Sequence, residues 1–533
     1  MQLNPHQEQV ANHVHGRILT LAGPGSGKTR TLTERTGRLI KKGFDAGSIL
    51  CLTFTNKARD EMRRRIAAGQ GAKAEKVFIS NFHGLCGRVL RTMGSPLGYS
   101  PRLTICDADD QLDLILQLAR RRGMEPTKPQ ARTLGFLANE WREYLGGDDA
   151  LEAIATQRKL ARGDVNVIRA YVDLLRSRNQ CDFSGMLSET VRLLREHEAV
   201  REKLRRKFRF IQVDEYQDTN KAQNEIVELL AGSDDNVLAV GDGDQSIYEW
   251  RGATPDAIPQ FIRNGEAKTG KCVVVKLGLN YRSTPQIIQT ADTLIRHCKN
   301  RTPIEFDTPN KPGEPVKVAR LETPEAESEA IGSSIANLLR DGQIQPRDVA
   351  VFFRTNDMSR LLEQALAKRQ IAYQVVGAGS YYDRMEVKDV LSMLRFVCNP
   401  KDGISFHRIA NKPARGMGDA LVGRLEAFAE THRIDLLSVM QENYLEFIRD
   451  ENDKPLSDAA RRACRETRAV FEIDGRGMNT PRGGVGAIAA ELVRRSRYDE
   501  WLKARYDDKE EYEDRSRNVN ELLNAIAEFG RTN

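Results

Sequence analysis

Leu21-Ala22-Gly23-Pro24-Gly25-Ser26-Gly27-Lys28-Thr29-Arg30, LAGPGSGKTR, is the stretch whose reading decides the fold. The apolar run from Arg17 to Ala22 before it reads as a short buried strand, and residues 31–40 after it read as a helix. A strand, a glycine-rich loop and a helix in that order gather backbone N–H groups and a helix N-terminus around one point, which suits phosphate. Lys28 would reach the β- and γ-phosphates and the Thr29 hydroxyl would hold Mg²⁺. Ala22 stands where G-x-x-x-x-G-K-[ST] has its first glycine. An ordinary Gly-rich turn is the competing reading. The joint occurrence of Gly25, Gly27, Lys28 and Thr29 makes a nucleoside-triphosphate site the working one.

Working outward, a phosphate loop needs acidic and polar partners from other strand ends. Residues 209–213 read as a buried strand delivering Asp214-Glu215-Tyr216-Gln217-Asp218, where the first carboxylate would hold Mg²⁺ and the second polarise the attacking water. Residues 236–240 form another strand, leading to Gly241-Asp242-Gly243-Asp244-Gln245. Gln245 is a candidate γ-phosphate sensor. Tyr248 and Trp250 lie just beyond it; Trp250 offers a face on which an unpaired base could stack, with core packing as the alternative for both aromatics. Arg282, in Asn280-Tyr281-Arg282-Ser283-Thr284, is placed to act as an arginine finger.

Upstream, Gln7 follows Pro5 at a plausible helix start, and its amide suits an adenine edge. Residues 49–53 read as a second strand, followed by Thr55, Asn56, Lys57 and a basic helix with Arg59, Arg63, Arg64 and Arg65. These groups suit a phosphodiester backbone, although a solvated helix face explains the arginines equally well. Residues 77–81 form a third strand, ending at Phe82 and His83. His83 reads equally as a satisfied core histidine.

The chain has 533 residues, too many for a single hydrophobic core. Its net charge of +7 is compatible with an acidic partner such as nucleic acid but does not demand one. Eight cysteines without a C-x-x-C pair or zinc spacing read as reduced thiols. With no apolar run long enough to span a bilayer and no secretory leader pattern, a cytoplasmic, membrane-independent protein is expected.

Taken together and in order, six stretches resemble the motifs of the UvrD/Rep/PcrA group of superfamily 1 DNA helicases: residues 3–7, 22–29, 53–58, 214–219, 241–252 and 280–284. The resemblance implies an α/β P-loop NTPase with two tandem RecA-like domains, the second incomplete, each carrying a helical insertion. The expected boundaries are 1–106 and 208–270 for the first RecA-like domain, 107–207 for its insertion, 271–376 for the second and 377–533 for the second insertion. Strands are expected at 272–276, 316–321 and 349–353. The resemblance further implies an ATP-dependent, 3′ to 5′ DNA helicase using ATP and Mg²⁺. Gln7 and Tyr281 would contact adenine; Ala22, Gly23, Pro24, Gly25, Ser26, Gly27, Lys28, Thr29 and Arg30 would cradle the nucleotide; Thr29 and Asp214 would hold the metal. Lys28, Asp214, Glu215, Gln245 and Arg282 would serve catalysis. Thr55, Asn56, Phe82, His83, Tyr248, Trp250 and Arg251 would face single-stranded DNA and single-strand/duplex junctions, with DNA-repair or replication proteins as possible partners.

Two departures stand out. Asp182-Phe183-Ser184-Gly185 occupies the place of a D-F-D-D stretch, with Ser184 and Gly185 where the pattern has carboxylates. Nothing matches the family's two late motifs, T-x-H-x-x-K-G-L-E-F and V-x-x-T-R-A. An incomplete second sheet is expected to expose apolar edges. The competing functional reading is a nucleic-acid-binding or partner-docking module, weak as an ATPase unless another segment or chain completes it.

Overall fold

The computed structural model describes residues 2–532 except 146, 250–251, 299–300, 343, 356–357, 377–383, 450–452, 474–483 and 507–508. Eight strands are present among them: β1 (Arg17–Ala22), β2 (Ile49–Thr53), β3 (Phe78–Asn81), β4 (Thr104–Ile105), β5 (Gln180–Cys181), β6 (Phe210–Val213), β7 (Val237–Gly241) and β8 (Cys272–Leu277). Six of them form a parallel sheet in the order β3-β2-β6-β7-β1-β8, while β4 and β5 pair separately.

Every residue of β1, β2, β6 and β7 is buried. Such continuously apolar strands are stable only with both faces covered, which is the condition of a parallel sheet sandwiched by its crossover helices. The chain leaves β1 for β2 and β3 on one side and returns through β6 and β7 before adding β8 on the other side of β1. All six strands therefore end on the same edge, where ligands of open α/β sheets bind.

Residues 272–276, expected as the first strand of a second α/β unit, belong instead to the first sheet as part of β8. β8 pairs with β1 along its whole length, from Arg17↔Cys272 to Ala22↔Leu277. An apolar run shows that a segment belongs in a sheet but not in which one. β1 is buried from end to end and has β7 on one side, so its other edge needs a partner, and β8 supplies it.

At the opposite edge of the sheet, Arg17 is fully buried against Glu228 at 2.6 Å and Asp235 at 2.7 Å, with its guanidinium 4.7 Å from the centre of the Phe261 ring. Lys268 adds a second cation 3.4 Å from Asp235. The region expected as a helical insertion contains the helices Ala108–Arg120, Lys128–Tyr144, Gly147–Arg158 and Arg162–Ser177 around an apolar core that includes Ile115, Leu137, Ile168 and Tyr171.

The chain divides into two compact units, residues 1–315 with 398–404, and residues 316–397 with 405–533. In the second, the helices Pro324–Arg340 and Ser359–Ala367 pack together. A helical core further along gathers Val390, Phe396, Phe406, Leu425, Phe471 and Leu522. Asp389, fully buried, sits in it with Arg408 at 2.7 Å, Lys412 at 3.0 Å and the Tyr498 hydroxyl at 2.7 Å.

The expected strands at 316–321 and 349–353 are a second correction: neither forms a ladder among the described residues. Apolar patterning signals fitness for a sheet, whereas a strand exists only with a hydrogen-bonded neighbour. The expected exposure of apolar groups is observed, since Val318 and Phe352 are each 94% exposed. Limited proteolysis of the whole chain, mapped by mass spectrometry, should cut within 316–376 well before any site in 17–277. Simultaneous cleavage of both regions would contradict this difference in local stability.

Candidate nucleotide-binding site

The phosphate loop joins β1 to α2 (Lys28–Lys41), and its shape depends on missing side chains. Gly27 caps α2 at φ +84°, and a Cβ there would lie 2.8 Å from the Gln7 amide nitrogen. Gly25, at φ +69°, would place a Cβ 2.7 Å from that of Arg282. Both positions thus combine a left-handed backbone with close approach, and only glycine satisfies both. Helix α2 has no side-chain cap on its N-terminal N–H groups, which leaves them for an anion.

Two other elements brace the loop. Helix α1 (Pro5–Asn12) begins with a capping box in which Asn4 and Gln7 bond reciprocally, and Gln7 Nε2 donates to the Ser26 carbonyl at 2.9 Å. Gln7 is buried, so in this arrangement its amide secures the loop, and one Nε2 hydrogen and one Oε1 lone pair remain for a base. After β8, Asn280 Nδ2 donates to the Pro24 carbonyl at 2.6 Å, and Tyr281 N donates to the Gly25 carbonyl at 2.9 Å. Asn4 Nδ2 donates to the Tyr281 hydroxyl at 3.0 Å, which brings Gln7 and Tyr281 to the same side of the loop. Asn280 Oδ1 accepts from the N–H groups of Arg282 and Ser283, fixing that turn, from which Arg282 extends into solvent. Arg30 lies half-buried on α2.

Lys28, Glu215 and Gln245 come from three strand ends and meet. Lys28 Nζ lies 3.0 Å from Glu215 Oε2 and 3.4 Å from Gln245 Oε1. Glu215 adopts a left-handed backbone, φ 51° and ψ 48°, costing roughly 1 kcal/mol or more for a residue with a Cβ. Gln217 stitches the set together: its Nε2 donates to Glu215 Oε2 at 3.0 Å, while its Oε1 accepts from Asp242 N at 2.9 Å. Gln245 Nε2 in turn donates to Asp242 Oδ2 at 2.5 Å.

Asp214 is buried, and burial together with the Glu215 charge pushes its pKa up to about 7. Asp218, raised to about 6, has the same two causes, and its Oδ1 is buried without a partner among the described residues. Carboxyls held this way are poorly solvated anions, suited to receiving a hard cation. No cluster of three or more His, Cys, Asp or Glu is poised for a metal among the described residues.

The described residues expected to face DNA follow the C-terminal ends of β2, β3 and β7, with one correction. Thr55 caps α3 (Asn56–Gln70), and Asn56 accepts a bond from Asn81 at 3.1 Å. His83 packs edge-on against the exposed Phe183, with ring centres 5.5 Å apart, and burial lowers its pKa. Tyr248 stacks on Phe54 at 5.0 Å. Phe82, by contrast, is buried in the core and has no face for a base, because it opens α4 (Phe82–Met93) on the side that covers the sheet. Trp250 and Arg251 lie outside the described residues.

Asn4, Phe54, Gln217 and Asn280 were not singled out from the sequence. All four lie within the six motif stretches, which was the available signal. One of the carboxylates missing from 182–185 has a counterpart on another helix: Ser184 Oγ donates to Glu143 Oε1 at 2.7 Å, and burial raises the Glu143 pKa.

A parallel sheet with a phosphate loop, a strand-end Asp-Glu pair and a glutamine meeting the loop lysine defines a P-loop NTPase. The UvrD/REP helicase N-terminal domain matches residues 3–265, and the UvrD-like helicase C-terminal domain matches residues 275–533. The chain is 33% identical to the ATP-dependent DNA helicase PcrA of Bacillus subtilis over 529 residues, covering 99% of this chain and 69% of that protein. To PcrA of Staphylococcus epidermidis it is 35% identical over 444 residues, covering 83% of this chain and 60% of the relative. To UvrD1 of Mycobacterium tuberculosis it is 33% identical over 542 residues, covering 99% and 68%. The chain belongs to the UvrD/REP family of ATP-dependent DNA helicases. No helix among the described residues is long and apolar enough to cross a membrane.

Because Asp214 holds its proton more tightly in the fold than in the unfolded chain, its ionisation destabilises the fold as pH rises from about 4 to about 7. Asp214→Asn should therefore match wild type in stability near pH 4 and exceed it progressively up to pH 7 and above. The gain, on the order of a few kcal/mol, would appear in urea unfolding with EDTA present. An equal difference at both ends of that range would show that the carboxyl is not perturbed.

Proposed function

We propose that this chain binds ATP with Mg²⁺ at the C-terminal edge of its six-stranded sheet and hydrolyses it to move 3′ to 5′ along single-stranded DNA, separating strands at duplex junctions. The observation that carries the reading is the meeting of Lys28 with Glu215 and Gln245. A lysine shared in this way reports the γ-phosphate directly: the incoming anion competes with Glu215 for the ammonium and frees its carboxylate to orient water. The strained backbone of Glu215 supports this role, since such strain persists where the surroundings over-determine it.

Thr29 and Asp214 would hold Mg²⁺. The metal, when bound, neutralises phosphate charge and favours the ionised form of Asp214. Gln245 senses the γ-phosphate through Lys28, and Arg282, raised on the Asn280 turn beside Gly25, supplies positive charge to the same phosphates. Thr55, Asn56, His83 and Tyr248 face single-stranded DNA, and Phe54 supports the Tyr248 ring. Lys57, Arg63 and Arg64, all exposed on α3, add charge suited to a phosphodiester backbone. A pure docking module has no use for the complete set of Lys28, Asp214, Glu215, Gln245 and Arg282, so the ATPase reading is preferred.

Steady-state ATP hydrolysis should be stimulated by single-stranded DNA and vanish in Lys28→Ala. Glu215→Gln should retain nucleotide binding while losing about 10² to 10⁴-fold in turnover. Full turnover in that variant would reassign the positioning of water. On tailed duplexes, displacement should require a 3′ tail; displacement from a 5′ tail alone would reverse the polarity. Tyr248→Ala should weaken single-strand affinity by roughly tenfold, leaving nucleotide affinity unchanged.

A further inference from the structure

The loop that carries Gln245 is short of apolar anchors. Gly243 is exposed, Ile247 is 70% exposed, and Ser246 makes long bonds of 3.4 Å, from its hydroxyl to the Gln217 carbonyl and from its N–H to the Gly243 carbonyl. From within, Asp242 holds it by accepting from Asp244 N at 3.0 Å and from Gln245 Nε2. From without, it is held by Arg301, a residue outside all six motif stretches. The Arg301 guanidinium grips both carboxylate oxygens of Asp244 through three contacts of 2.7 to 3.2 Å, and both side chains are nearly nine-tenths buried. A fork of this kind fixes direction as well as distance.

Arg301 opens a strap of chain with three further attachments. Ile304 enters the core of the sheet. Phe306 lies on the phosphate loop, so close that a Cβ on Gly23 would fall 1.9 Å from its ring. Asp307 pairs with the Asn280 turn, accepting from Asn280 N at 2.7 Å and donating to the Gly278 carbonyl at 3.1 Å, and Thr308 and Asn310 both donate to the Ser283 carbonyl. One strap thus touches the Gln245 loop, the phosphate loop and the turn bearing Arg282.

We propose that Arg301 is a positioning residue for the γ-phosphate: through Asp244 it holds Gln245 toward Lys28, and the strap it opens keeps the three phosphate-reading loops in one register. The proposal rests on the reading of Lys28 and Gln245 as the γ-phosphate end of the site. Arg301 touches no reacting atom. Its loss should therefore degrade discrimination between triphosphate and diphosphate rather than nucleotide binding as a whole. Asp244 should be equivalent to Arg301 in this respect, since each acts only through the other.

The test is binding of a fluorescent non-hydrolysable ATP analogue and of fluorescent ADP, both with Mg²⁺, to the full chain. Arg301→Ala and Asp244→Asn should each weaken the triphosphate by about tenfold while ADP stays within about twofold, and the double variant should be no weaker than either single one. Arg301→Lys, which keeps the charge but not the fork, should fall between wild type and Arg301→Ala and serves where the alanine variant folds poorly. Equal losses for both nucleotides, or unchanged triphosphate affinity, would overturn the positioning role. Lys28→Ala separates the two levels. If wild type binds both nucleotides and Lys28→Ala neither, the site reading stands and Arg301 is judged on its own; if wild type binds neither, the site reading falls and the proposal with it.

Discussion

A parallel sheet ends all its strands on one edge, and the chemistry of this protein depends on that constraint. β1, β2, β3, β6, β7 and β8 deliver their following residues to the same rim, so side chains more than two hundred positions apart, such as Lys28 and Gln245, come within 3.4 Å. Lys28 is the point of convergence. Its ammonium lies against the Glu215 carboxylate and the Gln245 amide, and under the proposed function these are the two groups a γ-phosphate would displace or engage.

That convergence carries local costs which the surroundings offset. Glu215 sits in a left-handed conformation and Asp214 is buried with its carboxyl held near neutrality. Gln217 and Asp242 compensate by closing the hydrogen-bond circuit between the two strand ends. At the far edge of the sheet, the buried Arg17 cluster with Glu228 and Asp235 locks β1 to its surroundings. Removing one member of such a cluster strands a buried charge, so that end of the sheet tolerates little change, while the functional rim is built of loops.

The second unit shows the opposite balance. Its helical core is well packed and includes a fully buried Asp389 satisfied by two cations and a tyrosine. Its apolar segments at 316–321 and 349–353, however, lie outside any ladder among the described residues and present Val318 and Phe352 to solvent. Helices satisfy their own backbone, whereas strands need a neighbour, so the two parts of one unit differ in how much order they hold alone.

The residue order by itself determined the phosphate loop, the strand-end Asp214-Glu215 pair, the Gln245 loop, the Tyr281-Arg282 turn and the family they resemble, because each depends on contiguous residues with a local mechanical reason. The strands of the first sheet up to Gly241 were legible for the same reason: continuous apolar runs bounded by turn residues. Only the tertiary structure decided that β8 belongs beside β1, that Phe82 turns into the core while Tyr248 stacks on Phe54, that Gln7 braces the loop, and that Arg301 grips Asp244. Those facts are pairings between distant segments, and an apolar or charged side chain carries its need for a partner in the sequence but not the partner's address.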